Sequence, residues 1–303
     1  MSVHQSGADP HSAIPRGEDG RTLAPFGRRR ALVVSTRTVG SYVLLELADR
    51  DGPPADPGQF HMLATQQHWG AGEDERPFLP RAFSPMGSSG GHLWFMLEDV
   101  GPGTHRLATL KKGEALWVSG PFGRGFHSPE TVHVEARSVS GDDPALGDRG
   151  GPRPILVAGG IGLPPIIDWS RRLTEQGTEA TMLLGFRDAA HAQVAASFAT
   201  AQLATDDGSA GHHGYVTELL AAELDRDQHA VVYACGPGPM LEAVRRLVSE
   251  RDVPTELALE AGMACGYGAC FGCVVPLKDG GYARVCVDGP VMAAGDLAPV
   301  PAH

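Results

Sequence analysis

Four of the five cysteines fall within one short window: Cys265, Cys270, Cys273 and then Cys286. The first three share a glycine-rich loop, Cys265-Gly-Tyr-Gly-Ala-Cys270-Phe-Gly-Cys273, and twelve residues separate the third from the fourth. C-x4-C-x2-C followed by a distant cysteine is the plant-type spacing for a [2Fe–2S] cluster, in which four thiolates hold two irons. Gly266, Gly268 and Gly272 are expected to let the backbone turn tightly, with φ > 0, where a Cβ would clash. The backbone N–H groups can then point at sulfur and tune its potential. Structural zinc usually takes cysteines as two C-x2–4-C knuckles, and a pair of disulfides needs an oxidising compartment. The spacing favours the cluster over both.

The chain has 303 residues, enough for two or three cores. Its 40 glycines and 24 prolines suit a loop-rich β plus α/β protein. A formal net charge of −11 argues against nucleic acid or an anionic membrane as a partner. No run of about eighteen apolar residues is present, so no transmembrane helix is expected. Residues 1–28 are rich in Gly, Pro, Ser and charge, lack the apolar centre of a signal peptide, and read as a disordered tail. A cytoplasmic location, where thiols stay reduced, follows as the expectation.

From Arg29, β-rich runs alternate with turn signals: Ala31–Val34, Ser41–Leu47, His61–Ala64, Leu93–Leu97 and Ala115–Val118. Short strands at such spacing predict an antiparallel barrel over 29–127, with a short helix over 101–110 and a loop over 66–80. Residues 128–153 lack a period and read as a linker or insertion. From Pro154 the pattern becomes strand, glycine loop, helix, repeated, which predicts a parallel α/β sheet over 154–257. Helices are expected near 189–200 and after Gly214, with Thr217 as a candidate N-cap. Residues 258–303 form the cluster segment.

Gly159-Gly160-Ile161-Gly162 joins a strand to a helix, where backbone N–H groups can meet a dinucleotide's phosphates. Pro164 and Pro165 stand where the last glycine of the full fingerprint would be sought. A second glycine turn, Cys235-Gly236-Pro237, ends a later strand, and ligands bind at that edge of an open α/β sheet. Cys235 is either an inert buried thiol or a contact for the reactive end of the cofactor. Arg81 and Ser84 flank a short apolar pair and offer a fork and a hydroxyl to a phosphate. His61, His68, His105, His212 and His213 show no metal-ligand spacing with carboxylates. No residue pattern points to acid–base or nucleophilic catalysis by side chains, so the chemistry would belong to cofactors.

Taken together, Arg81-Ala-Phe-Ser84, Gly101-x-Gly-Thr104, Gly120-Pro-Phe-Gly-x-Gly-Phe126, Val157-Ala-Gly-Gly-Ile-Gly162, Gly214-Tyr-Val-Thr217, Cys235-Gly-Pro-x-Pro-Met-Leu241 and the cysteine window with Val285-Cys-x-Asp-Gly-Pro290 carry a resemblance. Over residues 30–292 the chain resembles the ferredoxin-reductase superfamily, and more closely the electron-transfer subunits of class 1B dihydroorotate dehydrogenases. The resemblance implies a multidomain β plus α/β fold: an FAD-binding antiparallel β-barrel, an NAD-binding parallel-sheet domain and a small C-terminal [2Fe–2S] domain. It implies FAD contacts at Arg81, Ala82, Phe83, Ser84, Leu97, Glu98, Asp99, Gly103 and Thr104. It implies nicotinamide-nucleotide contacts at Gly159, Gly160, Gly162, Cys235, Gly236 and Pro237. Iron would be ligated by Cys265, Cys270, Cys273 and Cys286. The implied partner is a catalytic dihydroorotate-oxidising subunit, in a heterotetramer of two of each chain serving pyrimidine biosynthesis. A sister NAD(P)H-dependent reductase subunit serving ferredoxin or a hydrogenase is the alternative.

Ala82 replaces the family's usual Pro, Glu98 stands where an Arg often lies near the flavin, and Ala261-Gly262 replaces a common Glu-Arg. The second strand of the α/β unit ends in Gly185-Phe-Arg187-Asp188. There Asp188 favours an NAD ribose and Arg187 an NADP phosphate, which leaves the choice open.

Overall fold

A computed structural model describes residues 27–67, 69, 79–140 and 151–299. The tail expected over 1–28 lies outside these residues up to position 26, as do His68 and most of the 66–80 loop.

The first half is an antiparallel sheet of β1 (Arg29–Val39), β2 (Tyr42–Ala48), β3 (Phe60–Thr65), β4 (Arg81–Phe83), β5 (Gly87–Ser89), β6 (His92–Glu98) and, after helix α1 (Pro102–Ala108), β7 (Ala115–Phe122). Its order is β4-β3-β7-β1-β2-β6-β5. The two edges, β4 and β5, are joined by only Ser84, Pro85 and Met86, so the sheet must curl until its ends meet. Period-2 alternation explains the interior: Leu45 and Leu47 on β2 and Leu93, Phe95 and Leu97 on β6 point into one apolar core.

His61 on β3 is buried in this barrel, edge-on to Phe95 with ring centroids 5.8 Å apart. Neither ring nitrogen has a hydrogen-bond partner. Burial, helped by the Arg29 charge, lowers its pKa to about 3, so the folded protein holds it neutral. The unfolded chain, with an ordinary histidine, takes up a proton below about pH 6.5, and stability therefore falls with pH from there. His61→Leu removes two unsatisfied polar atoms at similar volume and is expected to stabilise the chain by about 1–2 kcal/mol at pH 7.5. The gap to the parent should widen by about 1.4 kcal/mol at pH 5.5, read by urea denaturation.

Between the two sheets lies α2 (Pro129–Ser140), so the stretch read as a linker opens with a helix; residues 141–150 lie outside the described residues. The second half runs β8 (Arg153–Gly159), α3 (Leu163–Glu175), β9 (Thr181–Phe186), α4 (Ala189–Ala192), β10 (Gln202–Thr205), β11 (His212–His213), α5 (Val216–Arg226), β12 (Ala230–Cys235), α6 (Gly238–Glu250) and β13 (Thr255–Ala258), joined by β16 (Val291–Ala293) from the last segment. The order of this second sheet is β11-β10-β9-β8-β12-β13-β16. All pairs through β13 are parallel. Leu156 and Ala158 pack on the α3 face with Ile166, Trp169 and Leu173, while Ile155 and Val157 pack on the opposite face with Leu241, Val244 and Val248 of α6. Helices on both faces explain why β8 and β12 read as unbroken apolar runs.

Two local expectations are corrected. The helix expected over 189–200 is α4 followed by a 3-10 stretch, Gln193–Ser197. The cap of α5 is Tyr215, whose backbone N–H is taken by Glu218 Oε1 at 3.2 Å, leaving Thr217 within the first turn.

The cluster segment carries a small antiparallel pair, β14 (Val274–Pro276) and β15 (Tyr282–Arg284), and then β16 (Val291–Ala293). β16 runs antiparallel to β13 and completes the edge of the α/β sheet. No described helix is long and apolar enough to cross a membrane.

Candidate functional site

A cavity of about 290 Å³ opens where the barrel, the α/β sheet and the cluster segment meet. The barrel contributes Phe60, Ala82, Phe83, Ser84, Met96, Glu98 and Thr104; the α/β unit contributes Ile161, Pro164, Pro165 and Cys235; the last segment contributes Leu259, Glu260 and Met263. Strand periodicity selects Met96 and Glu98 for the cavity and turns Leu97 into the barrel core, so Leu97 can reach a ligand only through its backbone. The volume lies at the low end of small-molecule sites and suits the ring end of a flavin better than a whole dinucleotide.

Arg81, Asp99 and Gly103 do not line this cavity but are chain neighbours of Ala82, Glu98 and Thr104, which do. Arg81 donates to the Leu79 carbonyl at 2.8 Å and lies 6.0 Å from the Trp69 ring. A Cβ on Gly103 would stand 2.8 Å from Arg81 Nε, so the glycine leaves room for the guanidinium beside α1. Thr104 Oγ1 accepts the N–H groups of Val100 and Gly101, each at 3.0 Å, and fixes the turn into α1. Asp99 is engaged by His105 Nδ1 at 2.8 Å.

The two glycine loops pack directly against each other. A Cβ on Gly162 would lie 2.3 Å from the Cys235 carbonyl oxygen, and one on Gly159 would lie 2.3 Å from Met240 Sδ. Gly236 also approaches Gly159, and Pro237 stands at the start of α6. Gly160, at φ +50°, approaches the buried Tyr42 hydroxyl of the barrel. The loops therefore form one carboxyl edge, where such sheets take phosphate groups. The prolines after Gly162 occupy the first turn of α3, where the missing N–H has no helical partner to lose.

Cys235 is buried and lines the cavity. Burial, followed by the nearby Glu260 charge, pushes its thiol far above the ordinary range, so it is neutral and not a thiolate nucleophile. Glu260 was not singled out in the sequence. It lines the cavity while remaining partly open to solvent, and the protein packed around it raises its carboxyl above the usual range. Ser84, Cys235 and Glu260 thus present a hydroxyl, a thiol and a carboxyl to one space. A glutamate five residues before the first cluster cysteine has no motif of its own; only the fold reveals it.

The four cysteines of the window come together as two pairs. Cys265 lies within hydrogen-bonding reach of Cys270, and Cys286 of Cys273. Among the described residues no three His, Cys, Asp or Glu side chains converge on one metal ion. Two pairs of thiols are what a two-iron cluster requires, two thiolates to each iron. The N–H of Gly272 points at Cys270 Sγ and that of Cys286 at Cys273 Sγ, both at 3.4 Å. Burial opposes ionisation of Cys265, yet backbone N–H groups from Tyr267 and Cys270 outweigh it and leave the thiol at about 6. Burial and the adjoining Cys273 hold Cys286 up at about 12.

Gly266 and Gly268 take positive φ, as expected, with Cβ positions that would run into Met62 and Val287. Gly272 does not; the left-handed residue there is Phe271, at φ 56°. Phe60 and Met62 of β3 pack against Cys273, Val285 and Cys286. Phe60 therefore touches both the cavity and the cysteine centre.

Comparison with known proteins fits this geometry. Residues 260–298 match the family model for the iron-sulfur cluster binding domain of dihydroorotate dehydrogenase B, and residues 156–246 match the oxidoreductase NAD-binding domain. The dihydroorotate dehydrogenase B (NAD(+)) electron transfer subunit of Bacillus caldolyticus is 35% identical over 282 residues, covering 90% of this chain and 99% of that one. The chain belongs to the family of dihydroorotate dehydrogenase B electron transfer subunits. Its counterpart in Shouchella clausii is 37% identical over 250 residues, 80% of this chain and 86% of that one. Among solved structures, a chain of the NADH-dependent reduced ferredoxin–NADP oxidoreductase superposes with a TM-score of 0.71 at 22% identity, covering 90% and 91% of the two chains. A ferredoxin NADP+ reductase from Neisseria gonorrhoeae with bound FAD and NADP gives 0.56 at 12% identity, covering 76% of this chain and 97% of that one. At these identities the likeness is one of fold, and it is the ferredoxin-reductase fold that the motifs led us to expect.

Proposed function

We propose that this chain carries electrons from a catalytic, dihydroorotate-oxidising subunit to NAD+, within a cytoplasmic heterotetramer of two of each chain that serves pyrimidine biosynthesis. The observation that carries the reading is the shared wall: one cavity bordered by the barrel, by the nucleotide edge of the parallel sheet and by the segment that holds four paired thiols. FAD, a [2Fe–2S] cluster and NAD+ supply the redox chemistry when bound, because a flavin accepts single electrons from iron–sulfur centres and exchanges a hydride with nicotinamide.

The protein's part is placement. Cys265, Cys270, Cys273 and Cys286 ligate iron, with N–H groups aimed at sulfur to set its potential. Arg81, Ala82, Phe83, Ser84, Gly103 and Thr104, with the backbone of Leu97, Glu98 and Asp99, hold the flavin. Gly159, Gly160 and Gly162 receive the nucleotide's phosphates, while Cys235, Gly236 and Pro237 face its nicotinamide end. Phe60 borders both the cavity and the buried cysteine pair, where its apolar ring would disfavour water. Tyr267, Phe271, Val274 and Tyr282 stay exposed around the cysteine centre, an apolar surface suited to the catalytic partner.

Glu260, whose carboxyl is held above the usual range, lines the cavity and would exchange a proton with the reacting ring there. Glu260→Gln keeps a donor there but cannot exchange a proton. It is expected to slow NADH-driven flavin reduction by about 10²-fold and to flatten its pH profile, read by stopped-flow absorbance.

The function is tested by absorption spectra of the purified protein with iron and acid-labile sulfide assays, before and after NADH. Flavin and cluster bands that bleach with NADH, and dihydroorotate-dependent NADH formation when the catalytic subunit is added, support it. A colourless protein containing zinc overturns it. Electron delivery to ferredoxin or a hydrogenase, without response to the dihydroorotate-oxidising subunit, replaces it with the sister-reductase reading.

A further inference from the structure

Cys286 sits in a tight turn. The Arg284 carbonyl accepts the N–H groups of Val287 at 2.9 Å and Asp288 at 2.8 Å, and Asp288 Oδ2 accepts the Arg284 N–H at 2.8 Å. The side chain that opens this turn reaches out of it. Arg284 Nη1 donates to the Gly268 carbonyl at 3.4 Å, between Cys265 and Cys270. Its guanidinium carbon stands 5.2 Å from the centroid of the Phe271 ring, between Cys270 and Cys273. The Gly268 N–H in turn lies within hydrogen-bonding reach of Cys286. On its other side, Arg284 Nε stands 3.5 Å from Asp288 Oδ2.

One guanidinium thus meets the loop of the first three cysteines at two points and remains tied to the turn of the fourth. Two features of that loop follow from it. Phe271, exposed and at φ 56°, lays its ring within the range at which a cation is attracted to an aromatic face. Gly268 takes φ +90°, and a Cβ there would stand 2.6 Å from Val287 and 3.4 Å from Arg284 Nη1, so glycine lets the turn approach the loop.

We propose that Arg284 is a positioning residue for the iron–sulfur centre: it fastens the loop of Cys265, Cys270 and Cys273 to the turn of Cys286, and its charge sets the reduction potential. A [2Fe–2S] centre gains one negative charge when it accepts an electron, and its potential follows the charge and hydrogen bonding around it. A cation held on the ligand loop favours the reduced form, while Asp288 on the same guanidinium opposes it. The two side chains therefore act with opposite sign. The inference rests on the iron–sulfur reading above and adds a charge pair to the N–H groups already assigned to the potential.

The test uses the purified protein loaded with flavin and cluster, and its Arg284→Gln, Arg284→Lys and Asp288→Asn variants. The one-electron midpoint is read by reductive titration followed by electron paramagnetic resonance, and iron release to a chelator is timed in each. Arg284→Gln is expected to move the reduction equilibrium about tenfold toward the oxidised form, a fall of about 59 mV for one electron. Iron release should quicken about tenfold, as when an outer partner of a metal ligand is lost. Arg284→Lys keeps the charge and should recover most of the midpoint. Asp288→Asn keeps an acceptor for the Arg284 N–H and should raise the midpoint; where Arg284→Gln holds too little iron to titrate, this sign decides. A midpoint and an iron release both unmoved by Arg284→Gln overturn the inference, as does a midpoint that Asp288→Asn leaves in place or lowers. A parent protein without iron and labile sulfide overturns the iron–sulfur reading, and the inference with it.

Discussion

Replacing Cys270 or Cys286 with serine is expected to reduce bound iron from about two atoms per chain to near zero, with parallel loss of labile sulfide and of the cluster bands. The two variants should differ in what else they lose. Cys270 is exposed, and its sulfur accepts the Gly272 N–H of its own loop and lies within hydrogen-bonding reach of Cys265. Cys286 is buried with Cys273, Val285, Phe60 and Met62. Serine at 286 places a hydroxyl in that apolar cluster, at a further cost of about 1–3 kcal/mol that serine at 270 escapes. Denaturation of the metal-free proteins separates the two effects. Iron retained at full occupancy in either variant would remove that cysteine from the ligand set.

Gly162→Ala is expected to destabilise the chain by about 3 kcal/mol and to abolish measurable NAD+ binding. The atoms a methyl would meet are backbone: Cys235 O at 2.3 Å, Cys235 C at 2.4 Å and Gly236 N at 2.5 Å. No rotamer change relieves that contact, so one glycine loop must move off the other and the phosphate edge is lost. Gly238 is the matched control, since a Cβ there meets nothing within 4 Å at the first position of α6. Gly238→Ala should leave stability within about 0.5 kcal/mol of the parent. Equal denaturation midpoints for the two variants would refute the close-packing account.

The iron-sulfur binding segment and both glycine loops were legible in the sequence because their chemistry fixes spacing along the chain. The parallel sheet was legible because strands buried on both faces read as apolar runs such as Ile155–Ala158. What the sequence withheld depends on distant segments meeting. Glu260 gains meaning only from the cavity that Ser84 and Cys235 share with it, and the partner of Arg187, Glu98, lies on another sheet. β5 and β16, three residues each, are too short to show a period. Phe271 adopts a left-handed backbone that its residue type does not advertise, next to a glycine that does.

The pairing of β13 with β16 has a topological consequence. Leu257 lies opposite Met292 and Ala258 opposite Val291, so the chain departs for the cysteines and returns on the same rung of one ladder. The metal-binding segment is therefore a closed detour with both feet anchored, not a loose terminus. Its feet stand about 5 Å apart, the separation of an ordinary hairpin. Held at both feet by one ladder, the segment shares the stability of the sheet from which it springs, and its ends separate only if β16 leaves β13.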